Sequence, residues 1–298
     1  MRIVARPDFD GIICAVLLFD ILDITEETLW VEPAEIQKKT VDIRSGDIVA
    51  NLPYADGCSF WFDHHYTNRI DIPFEGKFKI APSAAGVIFE YYQGKFHHDF
   101  GELVAAADKI DSADLTLEEV QHPENDDYVL LSMTISDGLH ADVAYWKKLV
   151  GLLGENGIRA VMNDDEVRQR CQVVIEQNEQ YVGYLKKYTR VEQHVAISDF
   201  RSLAKVPLGN RFLVYSLFPD TVVNMRIRYE DPSKEMIAVN VGHSIFNPNC
   251  NVNAGLMLTD FEGGGHRGAG SCRFHSSKAD KYIPRITDIL KKNQNNET

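Results

Sequence analysis

The stretch RIVARPDFDG, residues 2 to 11, begins with a short apolar run and ends in two aspartates and a glycine. The residues that follow, 12 to 22, carry apolar side chains at helical spacing. This pattern predicts a strand, an acidic loop and a helix. Further short apolar runs at 28–31, 47–51 and 59–62 are separated by loop or helical sequence. Together they predict an α/β unit with a mostly parallel sheet.

Polar side chains stand at the ends of several of these predicted strands. In open α/β sheets, ligands bind in a crevice at the carboxyl ends of the strands. We therefore expect one ligand-binding edge formed by Asp8, Asp10, Asn51, Asp63 and His64.

The second half of the chain has a different pattern. Asn163 and Glu166 predict the start of a helix, and apolar residues then continue along one face as far as Leu185. After about residue 190 come short β-like runs, a glycine cluster and a last amphipathic helix near residues 278–291. We predict an N-terminal α/β domain over residues 1–163, a connecting helix over 164–190 and a smaller α/β domain over 191–298.

Composition restricts the class of function. The 298 residues are 44% hydrophobic and 25% charged, which is typical of a soluble globular protein. The net charge of −13 opposes binding to long duplex DNA or to an anionic membrane, but a small anionic substrate can still be held by local cations. The five cysteines form no CxxC pair and no targeting segment is visible, so we expect a reduced, cytoplasmic protein.

Three groups of residues suit metal and acid–base chemistry. Asp8 and Asp10 repel one another unless a cation neutralises them, and their oxygens suit Mg²⁺ or Mn²⁺, although a DxDG sequence is also typical of a simple turn. The Asp63-His64-His65 sequence offers a carboxylate and two imidazoles, which can bind a metal, contact phosphate or move a proton.

Asp108 and Asp111 form the third group. They lie three residues apart on one face of a predicted helix. The small apolar residues before them suggest that this end of the helix is buried. A buried carboxylate needs a partner such as a metal or Lys109.

Residues 263–270 hold five glycines, together with His266 and Arg267. In such a loop, backbone amides can approach an anion closely while the histidine and the arginine add a donor and a fixed positive charge. A flexible turn is the alternative interpretation.

These blocks, in this order and over residues 2 to about 274, resemble the DHH phosphoesterase superfamily. The resemblance is strongest to the two-domain branch with a DHHA-type C-terminal domain, which includes nanoRNases, dinucleotide phosphodiesterases, bisphosphate nucleotidases and exopolyphosphatase-like proteins. It implies a catalytic N-terminal domain that holds two Mn²⁺ ions and a C-terminal domain that holds the substrate, with the reaction in the cleft between them.

The resemblance also implies a role for each matching residue. Asp8 would bind the first metal, and Asp10, His64 and Asp108 the second. Asp63 and His65 would be the catalytic pair, with His65 facing the scissile phosphate. The substrate phosphate would be held by the amides of Gly264 and Gly265, by His266 and Arg267, and by Arg226 or Arg228 on a predicted strand.

Two positions depart from the family pattern. Val4 stands where this branch usually has a histidine, four residues before the first aspartate. Asn51 stands where a bridging aspartate is expected, and an amide oxygen is a weaker metal ligand than a carboxylate. Both departures affect the first metal site.

We therefore expect a Mn²⁺-dependent phosphoesterase that hydrolyses a phosphodiester or phosphomonoester in a short oligonucleotide or small nucleotide. One or two ions would be bound, with Mg²⁺ or Co²⁺ as alternatives to Mn²⁺. A short-chain exopolyphosphatase and a non-catalytic nucleotide-binding protein with a degenerate metal site are the alternative functions. A homodimer is compatible with the exposed aromatic residues.

Overall fold

The computed structural model describes residues 1–135 and 142–297. Its contacts divide the chain into two compact units. Of the described residues, the first comprises 1–115, 123–135 and 142–172, and the second comprises 116–122 and 173–297. No helix of the described residues is both long enough and apolar enough to cross a membrane.

The first unit is built on a five-stranded parallel sheet with the strand order β2-β1-β3-β4-β5. Its strands are β1 (Arg2–Ala5), β2 (Leu29–Trp30), β3 (Asp47–Ala50), β4 (Phe60–Asp63) and β5 (Gly76–Phe78). Its helices are α1 (Phe9–Ile21), α2 (Pro33–Gln37), α3 (Ala84–Tyr91), α4 (Gly101–Asp111), α6 (Asp127–Met133), α7 (Val143–Glu155) and α8 (Ile158–Met162). The predicted α/β class with a mostly parallel sheet is confirmed.

The burial of this sheet is typical of a parallel sheet that is covered by helices on both faces. Every residue of β3 is buried, and α1 is buried from Phe9 to Leu18. Strands that are covered on both faces read as continuous apolar runs, as is usual when helices cover a parallel sheet. The Asp8 side chain begins α1 by accepting a hydrogen bond from the Gly11 amide, and Ser83 caps α3 in the same way through the Gly86 amide.

The second unit contains a six-stranded mixed sheet with the order β10-β11-β9-β8-β7-β6, in which β7 and β8 run parallel and the other neighbours antiparallel. The strands are β6 (Thr189–Glu192), β7 (Val195–Asp199), β8 (Val223–Tyr229), β9 (Met236–His243), β10 (Gly263–His266) and β11 (Ala269–His275). The helices are α5 (Leu117–Gln121), α10 (Leu213–Leu217), α11 (Ala254–Thr259) and α12 (Ala279–Lys292).

The long helix α9 (Asp165–Tyr188) begins in the first unit and continues into the second. In the second unit, one face of the sheet supplies apolar side chains to a core that includes Met225, Val239, Leu258, Phe274 and Ile286. The domain roles assigned to residues 1–163, 164–190 and 191–298 stay predictions.

Candidate metal centre and active site

The carboxyl ends of β1, β3 and β4 bring polar side chains together in the first unit. Asp8 and Asn51 follow β1 and β3, and β4 ends at Asp63. The three strands are neighbours in the sheet and run parallel, so their ends meet at one edge. The Asn51 side-chain amide donates to Asp8 Oδ1 at 2.9 Å, and the Asn51 backbone amide donates to the Phe62 carbonyl at 3.0 Å.

Asp10 is a buried carboxylate held by the start of α3. Its two oxygens accept hydrogen bonds from the backbone amides of Ala84 and Ala85, both at 2.9 Å. Burial raises the pKa of Asp10 well above its usual range, and the nearby charges of Asp111 and Asp8 raise it further. A bound cation would favour the ionised form of this carboxyl group.

His64 presents one ring nitrogen to this carboxylate. Its Nδ1 lies 2.9 Å from the Ala81 carbonyl oxygen, which can only accept, so Nδ1 carries the proton. Nε2 then points towards Asp111 Oδ2 at 3.3 Å and Asp10 Oδ2 at 3.9 Å. Although buried, Nε2 has no hydrogen-bond partner in the described part of the chain. Burial and the neighbouring charge of His65 lower the pKa of His64, which favours the neutral imidazole that binds metals.

Asp10, His64 and Asp111 together form a suitable cation site. Their ligand atoms all lie within 4.8 Å of one another. Two carboxylates and a neutral imidazole suit a divalent ion such as Mn²⁺, and the hydrogen bond at the other ring nitrogen fixes the imidazole for ligation.

A second group of possible metal ligands contains Asp63, His64 and His65, and it shares His64 with the first group. Asp63 is fully buried, and its Oδ1 lies 2.9 Å from His65 Nδ1. Its Oδ2 accepts a hydrogen bond from Asn68 Nδ2 at 2.7 Å. Burial lowers the pKa of His65, but the hydrogen bond and the charge of Asp63 outweigh it and raise the pKa on balance. This pairing directs the opposite nitrogen of His65 away from Asp63, as a proton donor or phosphate contact requires.

Asn68 was not identified from the sequence, and its contact gives a testable prediction. A hydrogen bond to a charged group contributes roughly 1.5–3 kcal/mol, so we expect Asn68→Ala to lower kcat roughly 10-fold because Asp63 and His65 lose their fixed orientation. KM and bound Mn²⁺ should change little. The control is Thr67→Ala at an exposed neighbour in the same turn. An unchanged kcat would contradict this positioning role.

Asp108 and Asp111 lie in the same helix, α4, but their side chains contact different residues. Asp108 Oδ1 accepts a hydrogen bond from Ser83 Oγ at 2.5 Å, whereas Asp111 approaches His64. Of the two groups of possible metal ligands in the described residues, one contains Asp111 and neither contains Asp108. The spacing of the two aspartates was a signal in the sequence, but it could not show which one faces the histidine. The metal role of Asp108 stays a prediction.

Asp8 is surrounded by donors. Its Oδ1 accepts from the Gly11 amide at 2.9 Å and from Asn51, and its Oδ2 lies 3.1 Å from Arg6 Nε. Val4 is fully buried in the core. The metal roles of Asp8 and Asn51 stay predictions.

In the second unit, the glycine-rich segment is a hairpin and not the irregular loop that we expected. Gly263–His266 and Ala269–His275 form the antiparallel strands β10 and β11, with Gly265 paired to Gly270. Helix α11 packs so closely that a side chain on Gly255 would overlap the Gly265 carbonyl oxygen. The absence of side chains therefore permits close packing of backbones here. His266 and Arg267 are exposed, and Arg267 pairs with Glu297.

Arg226 and Arg228 lie on one face of β8, opposite the buried Met225 and Ile227. Arg226 lies beside the Tyr181 hydroxyl group. Burial lowers the pKa of Arg228, and the nearby positive charges of Arg226 and Arg273 contribute to the same shift. Arg273 Nε pairs with Glu230 at 2.9 Å, so Arg226 and Arg228 are the arginines of this group that are better suited to binding an anion. The substrate-binding roles of Arg226, Arg228, Gly264, Gly265, His266 and Arg267 stay predictions.

Comparison with solved structures gives matches over almost the whole chain. The chain is similar to PggH, a pGpG-specific phosphodiesterase from Vibrio cholerae, with 28% identity, a TM-score of 0.84 and coverage of 98% of this chain and 99% of that one. An exopolyphosphatase-related protein from Bacteroides fragilis shares the fold with 13% identity, a TM-score of 0.54 and coverage of 98% and 91%.

RecJ from Thermus thermophilus, in complex with Mn²⁺, shares the fold with 14% identity, a TM-score of 0.57 and coverage of 98% of this chain and 52% of that one. No protein-family profile and no curated protein matches the sequence. The chain is therefore similar, over almost its whole length, to hydrolases of the DHH superfamily, and the similarity to PggH supports a metal-dependent phosphoesterase.

Proposed function

We propose that the chain hydrolyses the phosphodiester bond of a linear dinucleotide or similarly short oligonucleotide, with Mn²⁺ bound by Asp10, His64 and Asp111. The observation that carries this proposal is the buried Nε2 of His64, which lacks a partner among the described residues and faces two carboxylates. A divalent cation would provide the missing partner and balance the two negative charges.

The bound cation would act as a Lewis acid on the phosphoryl group and would favour ionisation of a water molecule. The chain's own residues would orient the metal ligands and contact the substrate. The amides of Ala84 and Ala85 keep the Asp10 carboxylate in one orientation. His65, fixed by Asp63, would bind a phosphate oxygen or donate a proton to the leaving oxygen.

Charge and similarity support a short substrate. The net charge of −13 repels long phosphate backbones, and the relative at 28% identity is described as specific for pGpG. We propose that Arg226 or Arg228, the amides of Gly264 and Gly265, and the side chains of His266 and Arg267 hold the substrate phosphate.

The location and assembly of the protein are also proposals. All five cysteines are free, and none is paired in a disulfide. Free thiols are typical of reducing compartments, which supports the proposed cytoplasmic location. A homodimer stays a prediction.

A direct test compares substrates after metal exchange. Protein stripped with a chelator should be inactive, and Mn²⁺ should restore hydrolysis of pGpG to mononucleotides more effectively than Mg²⁺ or Co²⁺. A longer single strand and tripolyphosphate should be hydrolysed at least about 10-fold more slowly at equal concentration, the slower rate on the long strand reflecting its charge. Preference for tripolyphosphate would support the alternative exopolyphosphatase function. Inactivity on pGpG in the Mn²⁺-loaded protein would contradict the proposal.

A further inference from the structure

The contacts of Asp8 differ from those of Asp10 in one important respect. Asp10 and Asp111 face an imidazole nitrogen with no partner among the described residues, which is suited to a cation between them. Asp8 instead already faces a positive charge, the guanidinium group of Arg6, with Nε 3.1 Å from Oδ2. Its other oxygen accepts hydrogen bonds from two N–H donors, those of Gly11 and Asn51.

The backbone fixes the position of Arg6. The Arg6 carbonyl accepts a hydrogen bond from the Asp8 amide at 3.0 Å, and it lies so close to Gly11 that any side chain there would overlap it. The hydrogen bond from Asp8 and the close contact with Gly11 therefore both restrict the conformation of the loop between β1 and α1. The Arg6 side chain is about one-third exposed, at 32%, so its guanidinium group can pair with Asp8 and still be reached from solvent.

Among residues 1–135 and 142–297, the side chains next to Asp8 do not supply the set of ligands that a second divalent ion needs. Val4 offers an apolar side chain in the core, and the Asn51 amide directs its N–H towards Asp8. Asn51 Oδ1 is also buried without a hydrogen-bond partner in the described residues, but it is a neutral oxygen, and the N–H of the same amide faces Asp8 in its place. Hard divalent cations need several oxygen ligands, and a guanidinium group beside Asp8 would repel such an ion.

We propose that the protein uses a single divalent ion and that the Arg6 guanidinium group binds the substrate phosphoryl group in the place of a second ion. Arginine is always charged and matches the geometry of phosphate oxygens, so it can stabilise the charge that develops on them during hydrolysis. This inference rests on the proposed phosphoesterase function for its substrate, but the number of bound ions can be measured without any substrate.

The first test measures Mn²⁺ binding to the full chain. Protein that is stripped and then titrated with Mn²⁺ should bind one tightly held ion per chain, and its electron paramagnetic resonance spectrum should show the hyperfine pattern of an isolated ion. Two ions with an exchange-coupled spectrum would overturn the proposal. One isolated ion without hydrolysis of pGpG would support the single-ion site and contradict the proposed function.

The second test changes Arg6. Loss of one donor to a developing oxyanion costs roughly 10²–10³-fold in kcat, so we expect a fall of that order for Arg6→Gln, with Mn²⁺ bound as tightly as before or more tightly. Arg6→Lys keeps the charge and should recover part of the loss. Arg44→Gln removes an exposed arginine paired with Glu26 and serves as the control. Equal kcat values for Arg6→Gln and wild type, with both folded by circular dichroism, would overturn the proposal.

A third variant tests whether removing Arg6 and adding a carboxylate creates a site for a second ion. Asn51 has a positive φ of 56°, a conformation that aspartate also tolerates, so Asn51→Asp should not strain the backbone. The double variant Arg6→Gln/Asn51→Asp removes the positive charge and adds a carboxylate beside Asp8. We expect it to bind a second Mn²⁺ and to show an exchange-coupled spectrum. Continued binding of a single ion would count against the idea that Arg6 occupies the place of the second.

Discussion

If the proposed function holds, Asp10→Ala is expected to remove tightly bound Mn²⁺ and to lower turnover of the proposed substrate pGpG by at least about 10³-fold, since a catalytic metal contributes several kcal/mol of transition-state stabilisation. Asp10 is the buried carboxylate of the cation site, and its removal leaves His64 and Asp111 without their third ligand. The substitution relieves the repulsion between Asp10 and its neighbours Asp8 and Asp111, but it leaves the Ala84 and Ala85 amides without their acceptor, so we expect a folded protein of lower stability. Metal analysis, steady-state kinetics and thermal unfolding would measure the three effects.

The control for Asp10→Ala lies on the same helix. Asp20, near the end of α1, has a side chain that is only 5% exposed and pairs with His98 Nδ1 at 2.6 Å, so Asp20→Ala also removes a carboxylate that is largely shielded from solvent. We expect Asp20→Ala to lower stability but to keep both the metal and the turnover. Similar Mn²⁺ contents in the two variants would contradict the assignment of Asp10 as a ligand.

The same assay distinguishes the two aspartates of α4. Asp111→Asn should weaken Mn²⁺ binding, because Asp111 Oδ2 lies 3.3 Å from His64 Nε2. Asp108→Asn should have a smaller effect on metal binding, since Asp108 contacts the Ser83 hydroxyl group. The opposite order would support Asp108 as the ligand, as the family resemblance implies.

The second large effect is expected for Gly76→Ala, which should lower the free energy of unfolding by about 3 kcal/mol or more. Gly76 opens β5 with a φ of +113°, a conformation that disfavours other residues. An added methyl group would also overlap the carbonyl oxygen of Trp61 in the neighbouring strand β4. Because β4 ends at Asp63, any shift of this strand also moves the Asp63–His65 pair.

Urea unfolding of Gly76→Ala and Gly94→Ala would distinguish the cost of the backbone conformation from the cost of steric overlap with the Trp61 carbonyl oxygen. Gly94 also has a positive φ, +79°, but an added methyl group there would meet no atom within 4 Å. We expect a cost of about 1–2 kcal/mol for Gly94→Ala from the backbone conformation alone. Equal losses in the two variants would show that contact with Trp61 is unimportant.

The sequence predicts some parts of the site well because simple rules govern them. Parallel strands place their carboxyl ends at one edge, so the proximity of Asp8, Asn51 and Asp63 follows from the positions of three apolar runs. The choice between Asp108 and Asp111 does not follow from any local pattern, since both lie on one face of α4. Only the packing of that helix within the first unit decides which one approaches His64.

The glycine-rich segment shows a second limit of local patterns. Glycine favours turns in isolation, and five glycines in eight residues therefore predict a loop. The structure instead uses the missing side chains of Gly263, Gly265 and Gly270 to bring two strands and a helix together. That packing depends on Gly255 of α11, which lies outside the glycine-rich segment in the sequence but against it in space. The contact is tertiary, so no local pattern indicates it.

The anchoring of Asp10 by the Ala84 and Ala85 amides has a consequence for the kinetics of metal exchange. Both carboxylate oxygens are already fixed by the backbone, so the side chain loses little rotational freedom when an ion arrives. The ion enters a rigid receptor, and its association should be limited by shedding of its own hydration water and not by rearrangement of the protein. Stopped-flow association rates should then follow the water-exchange rates of the ions, with Mn²⁺ entering faster than Mg²⁺.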